Sequence, residues 1–162
     1  MLVSITLQRI QKFLESTKLA FEVMSCDPKL SDTAIFCKEY GINLNDSVNT
    51  IIIKTKTGKL KYVACALLAS TRLDMNKIIK KKLEVRKVSF ADALETTKLT
   101  GMEIGGVTPI ELPVSLPLWI DSKIMTRNII VLGGGNRSSK IKISPKIFNF
   151  TKNTEIVDGL AN

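Results

Sequence analysis

Thr100-Gly101-Met102-Glu103-Ile104-Gly105-Gly106-Val107-Thr108-Pro109 opens a stretch in which the texture of the chain changes. Glycine and proline recur through Gly105, Gly106, Pro109, Pro113 and Pro117, with Ile104 and Val107 as apolar members. Proline fixes φ and lacks an N–H, and glycine weakens a strand interior, so residues 101–117 read as one long, stiffened loop. Long loops in compact domains are often functional. The Gly105-Gly106 pair lets backbone N–H groups come close to a ligand while Pro109 fixes the exit. Amides placed that way can stabilise the oxyanion of an ester-cleaving intermediate. A tight turn joining two elements fits the same residues.

Upstream of this loop, Val3, Leu7, Ile10 and Leu14 recur at helical spacing with Phe13 beside them, predicting an amphipathic helix that ends near Thr17. Residues 21–24 read as a strand. Ser31-Asp32-Thr33 is a helix start, with Ile35 and Cys37 inside and Gly41 just past the end. Residues 48–53 are β-branched and nearly all apolar, and Thr57-Gly58 separates them from residues 60–68, predicting a hairpin with one buried strand. Asp74 is placed to cap a helix carrying Met75, Ile78, Ile79 and Leu83 on one face and Lys77, Lys80, Lys81 and Lys82 on another. That lysine run fits a solvated face or an RNA contact. Residues 85–88 read as a strand and 90–98 as a helix.

Downstream, residues 119–120, 128–132 and 140–143 are expected to be short strands. Ser144-Pro145 is expected to open a short helix running to about Phe150. Residues 153–162 read as a weakly held tail. Gly133-Gly134-Gly135-Asn136 is a second glycine cluster after a strand, without the Gly-Lys-Ser/Thr of a phosphate loop, and a hairpin turn fits it.

Composition narrows the chemistry. A chain of 162 residues with 44% hydrophobic content can bury a real core and falls within the range of one domain. Lys+Arg of 24 against Asp+Glu of 15 gives +9, a charge that favours capture of polyanions such as nucleic acid and also serves solubility. Cys26, Cys37 and Cys65 are odd in number and lack a Cys-x-x-Cys spacing, so they read as reduced core thiols in a cytoplasmic protein. No apolar run approaches the ~20 residues of a membrane span, and residues 1–7 lack signal-peptide anatomy. The chain has no histidine. That removes the Ser-His and Cys-His nucleophile pairs and the commonest metal ligand, leaving lysine, carboxylate, backbone amides or the substrate to act.

The stretch from Thr100 to Pro109, followed by Leu116-Pro117-Leu118-Trp119-Ile120-Asp121 and by Gly133-Gly134-Gly135, closely resembles the C-terminal half of YbaK-type aminoacyl-tRNA editing domains. Arg72-Leu73-Asp74 and Lys87-Val88-Ser89-Phe90-Ala91 follow the same family rhythm, so the likeness runs from about Val48 to Phe150. It implies an α/β fold, a compact, barrel-like mixed β-sheet flanked by helices. It implies hydrolysis of the ester between a wrong amino acid and tRNA, typically Cys-tRNA(Pro) or Ala-tRNA(Pro), with the tRNA acceptor end and possible prolyl-tRNA synthetase association as partners, and without a cofactor. Under this resemblance Gly105 and Gly106 form the catalytic bend. Thr50, Val107, Thr108, Pro109, Asp121, Gly133, Gly134 and Gly135 are expected around the substrate. Asn49 stands where many members carry a functional lysine, and Glu111-Leu112 stands where relatives often have a glycine-histidine pair. Lys54 shares a strand face with Thr50 but lies opposite Asn49. A member that lost hydrolysis and only binds tRNA or a synthetase is the other form the resemblance admits.

Overall fold

The β-branched run becomes β2 (Val48–Thr55), around which a computed structural model arranges residues 6–162. Val48, Ile51, Ile52 and Ile53 suit a pleated, buried surface, and β2 pairs antiparallel with β3 (Tyr62–Leu68) on one side and β4 (Val88–Phe90) on the other. β3 in turn pairs in parallel with β5 (Leu118–Asp121), and β5 in parallel with β8 (Thr154–Val157). The result is a five-stranded mixed sheet in the order β4-β2-β3-β5-β8. Strands buried on both faces read as continuous apolar runs, as Tyr62–Leu68 does.

The two faces of that sheet feed two cores. Val48, Ile52, Ala64, Ala66, Leu118 and Ile120 join the larger one, which Ile10 and Leu14 of α1 (Gln8–Thr17) also enter. Ile53, Val63, Cys65 and Trp119 point the other way and meet Ile79 and Leu83. This is the period-two alternation of strand side chains. Each fully buried Ile or Leu contributes about 1.5–3 kcal/mol of transfer free energy.

A second sheet of three antiparallel strands is ordered β1 (Phe21–Ser25), β7 (Ser139–Ile143), β6 (Ile130–Gly133). It touches the first through the Ser47–Val131 bridge, where the N–H of Val131 donates to the carbonyl of Asp46 at 2.8 Å. The barrel-like sheet expected from the resemblance is therefore two sheets joined at this bridge. Helices α2 (Thr33–Tyr40) and α4 (Ala93–Thr100) complete the frame of the site.

Several element boundaries differ from the sequence expectation for local reasons. The helix expected from Phe90 starts at Ala93 because Asp92 and Glu95 form a capping box and Val88–Phe90 pairs with β2. Asp74 does cap its helix, accepting from the N–H of Lys77 at 2.9 Å, but the first turn, Met75–Ile79, is a π-turn before α3 (Lys80–Leu83). The segment expected as a loose tail is instead built in. β8 lies within it, Leu160 and Ala161 are fully buried, and Arg72 and Asn162 exchange backbone hydrogen bonds at 2.9 and 2.8 Å. Apolar Ile156, Val157 and Leu160 are too sparse to announce a strand, and it forms because β5 offers it a free edge. Val3 lies outside the described residues. Among those residues no helix is long and apolar enough to cross a membrane.

Candidate active site

A cavity of about 330 Å³ opens between β2, the start of α2, the Gly105 bend and β7. Asn49 and Thr50 reach it from β2, Thr33 from α2, Gly105 and Val107 from the bend, and Lys140 from β7. Its volume is at the low end for small-molecule sites, enough for a small acyl group and adjoining sugar. The long loop is thus open on one side rather than packed shut against the core.

The bend is held rigidly from behind. Gly105 has φ +91°, a conformation that L side chains rarely adopt. The N–H of Gly106 donates to the carbonyl of Glu103 at 2.9 Å, and the carbonyl of Gly106 accepts from the N–H of Gly135 at 2.7 Å. Arg137 clamps the same segment: its guanidinium donates to the carbonyls of Ile104 (2.8 Å) and Pro28 (2.9 and 3.1 Å), and its amide to Glu103 Oε2 (2.9 Å). Gly106 therefore has no N–H left for a ligand. The amides of Gly105 and Val107 have no protein acceptor among the described residues, and both residues border the cavity. Of the Gly105-Gly106 pair expected to offer amides, only Gly105 keeps its N–H without a protein acceptor among the described residues, and Val107 does so beside it.

Polar atoms in and beside the cavity are incompletely satisfied. Thr33 Oγ1 donates to Asn49 Oδ1. The hydroxyls of Thr50 and Ser31 are buried without a hydrogen-bond partner among the described residues, a situation uncommon enough to require a reason. Lys140 Nζ donates to the carbonyls of Ser31 (2.8 Å) and Gly105 (3.0 Å) and lies 5.1 Å from the Phe36 ring centroid. Burial pushes the Lys140 amine below the usual lysine range.

Other expected residues lie elsewhere. Gly133 ends β6, paired with Lys140 of β7, and Gly134 and Gly135 open the turn that follows, all three behind the bend. A Cβ on Gly133 would come within 2.6 Å of the carbonyl oxygens of Gly106 and Val107, and one on Gly135 within 2.7 and 2.8 Å of Leu7 and Ile10. The triplet lets the bend and α1 approach one turn from two sides. Thr108 is fully buried, with its amide facing Met102 Sδ at 3.5 Å. Pro109 borders a separate hollow of about 110 Å³ with Glu111 and Phe150. Asp121 is fully buried near the C-terminus, where its Oδ1 accepts weakly from the N–H of Ala161 at 3.4 Å and its carboxylate lies 3.8 Å from Lys123. Lys54 is committed to Glu95 at 2.6 Å.

Lys140, Ser31, Thr33 and Arg137 were not singled out as site residues from the sequence, which marks Ser31 and Thr33 only as a helix start. In Lys140-Ile141-Lys142-Ile143 the alternation reads as two lysines on a solvated face, and Lys142 is indeed exposed. Lys140 is 6% exposed because the bend and Ser31 cover that end of β7. Only the tertiary placement of the glycine loop carries that information. Cys65 is placed as a core thiol: burial pushes it up to about 12, and it is sealed in the second core.

Among the described residues no group of histidine, cysteine or carboxylate side chains is placed to hold a metal. The aminoacyl-tRNA editing domain family matches residues 27–150, which span the whole cavity, and the chain belongs to that family, of the YbaK type. The chain is similar to the crystal structure of the hypothetical protein APE2540, with a TM-score of 0.81 at 21% identity over 96% of this chain and 100% of that one. It is also similar to the structure of a candidate trans-editing enzyme for prolyl tRNA synthetase, with a TM-score of 0.78 at 20% identity over 97% and 98% of the two chains. At these identities the likeness is one of fold.

Proposed function

We propose that this protein is a trans-editing deacylase that hydrolyses the ester of a mischarged tRNA, with Cys-tRNA(Pro)-like or Ala-tRNA(Pro)-like substrates. The observation that carries the reading is the cavity itself: it is walled by Gly105 and Val107, whose amides have no protein acceptor among the described residues, and by Thr50, in a family of tRNA editing domains. The aminoacyl ester would sit with its carbonyl oxygen toward those amides, which are rigid before substrate arrives and so need no reorganisation as charge develops. Water adds to the carbonyl carbon, the C–O bond to the ribose oxygen breaks, and that oxygen leaves with a proton. Free amino acid and deacylated tRNA result. Thr50 and Asn49 would orient the ester and ribose hydroxyl from the β2 wall. The small volume favours a small amino acid, the kind a synthetase pocket discriminates by only about 1–3 kcal/mol and that editing must remove. The +9 charge supports a polyanionic partner, and a cytoplasmic setting with association to a prolyl-tRNA synthetase accords with the reading.

Asn49 supports a second form, a module that binds the acylated end without cleaving it, because a neutral amide cannot do the work of an ammonium. The experiment is a panel of misacylated tRNAs incubated with purified protein. Accelerated release of one amino acid establishes the deacylase. Saturable binding of an acylated tRNA with no acceleration for any member establishes the second form.

A further inference from the structure

Lys140 is a buried charged side chain for which no carboxylate forms an ion pair among the described residues. Taking an ammonium out of water is costly unless a counter-charge or a full set of acceptors replaces the lost hydration. Here two of its three donors are placed, on the carbonyls of Ser31 and Gly105, with the Phe36 ring 5.1 Å away, and the third has no hydrogen-bond acceptor among the described residues while the side chain borders the cavity. Thr50 lines the same cavity with its hydroxyl sealed and without a partner among the described residues, and the amides of Gly105 and Val107, which have no protein acceptor among those residues, belong to its wall. An ammonium and two amides, all short of acceptors among the described residues, form a set complementary to one kind of ligand atom, an oxygen bearing negative charge.

We propose that Lys140 is a substrate-binding residue that supplies the positive charge of this pocket to an oxyanion of the ligand. The oxyanion has two sources in an aminoacylated RNA end, the ester carbonyl as it becomes tetrahedral and the phosphate of the terminal nucleotide. This assignment rests on the deacylase reading for its substrate, but not for its measurement. Asp32, Arg137, Cys26 and Cys37 are the titratable and charged groups that face Lys140. Burial above all, and Arg137 with it, favours the neutral amine, while Cys26, Cys37 and Asp32 oppose them. Ligand affinity is therefore lost, as pH rises, earlier than an ordinary lysine would lose its proton.

The test compares the wild type with Lys140→Met and Lys140→Arg in two assays, hydrolysis of the misacylated tRNAs and equilibrium binding of an alanyl-adenosine 5′-phosphate whose ester oxygen is replaced by NH. Lys140→Met is expected to lose about tenfold or more in one of them, the scale of one charge-assisted hydrogen bond, with Lys140→Arg intermediate. A fall in kcat with unchanged KM assigns the oxyanion to the ester, and a fall in analogue affinity assigns it to the phosphate. Wild-type protein that hydrolyses nothing but binds the analogue through Lys140 overturns the deacylase reading and supports this one. Hydrolysis and binding unchanged in Lys140→Met, or a wild type that does neither, overturn the assignment. Where Lys140→Met fails to fold, the side-chain ammonium resonance of Lys140 in 15N-lysine-labelled wild type is followed as analogue is added. A shift supports the assignment and an unmoved resonance overturns it.

Discussion

The N–H of Gly135 donates to the carbonyl of Gly106 at 2.7 Å, tying the cavity's bend to the turn between β6 and β7. That bond forms only because neither residue carries a side chain. A Cβ on Gly106 would overlap the Asn136 carbonyl and lie 2.7 Å from the Asn136 nitrogen, all of it backbone that cannot rotate away. Gly106→Ala is expected to destabilise the fold by about 2 kcal/mol or more and to abolish ligand binding. Gly159→Ala, at φ +72° with nothing within 4 Å, is the control and is expected to lose only about 1–2 kcal/mol of backbone strain. Thermal unfolding of both variants measures the difference, and equal losses would mean that the close approach is not what holds the bend.

Thr50 separates function from stability. Its hydroxyl is buried without a partner among the described residues, so Thr50→Val breaks no hydrogen bond to them and removes an unsatisfied group. The unfolding midpoint is expected to stay level or rise slightly. Affinity for the acylated end is expected to fall about 3- to 10-fold, the value of one neutral hydrogen bond. An unchanged KM together with an unchanged midpoint would show that no substrate atom meets this hydroxyl.

The contrast between these two residues explains how much of the site could be read in advance. The glycine loop, β2 with Asn49 and Thr50, and most strands announce themselves by local chemistry: φ requirements, β-branching and proline. Whether Gly106 or Val107 presents its N–H depends on which carbonyl lies opposite, and Glu103 decides that only once the bend is closed. Lys140 reads as a surface residue because strand alternation places it beside Lys142, and the cover that buries it comes from residues 31 and 105. Gly133 to Gly135 stand behind the cavity's bend and Asp121 is buried near the C-terminus, and a linear motif does not distinguish a residue on a wall from one away from it.

Glu95 gives the fold an acid-sensitive joint between β2, β3 and α4. Its carboxylate accepts from Lys54 Nζ at 2.6 Å and from the Tyr62 hydroxyl at 2.7 Å, and these bonds, with the Asp92 amide, lower it from 4.5 to about 2. A depressed carboxylate contributes stability that is fully present above its unfolded value and is lost as pH falls from about 4.5 toward 2. Glu95→Gln is expected to lower the midpoint at neutral pH and to flatten its decline in acid. Parallel curves for the two proteins across that window would show that Glu95 is not the titrating joint.

The lysine-rich helix admits a sharper statement than its sequence did. Ile79 and Leu83 fasten it to Ile53, Val63, Cys65 and Trp119, the face of the five-stranded sheet opposite that of Val48 and Ile52, which border the cavity. Lys82 is occupied, paired with Glu155 and lying 5.0 Å from the Trp119 ring centroid. Lys77, Lys80 and Lys81 surround a shallow surface with Arg86, and an RNA end seated in the cavity has the sheet between it and them. Replacing all three with glutamine is expected to leave kcat at saturating tRNA unchanged and the salt dependence of tRNA affinity nearly so. Contacts from all three to phosphates would instead lower the slope of log affinity against log salt by roughly 2 to 3. A slope change of that size would assign the helix to the RNA path and require the acceptor stem to wrap the sheet edge.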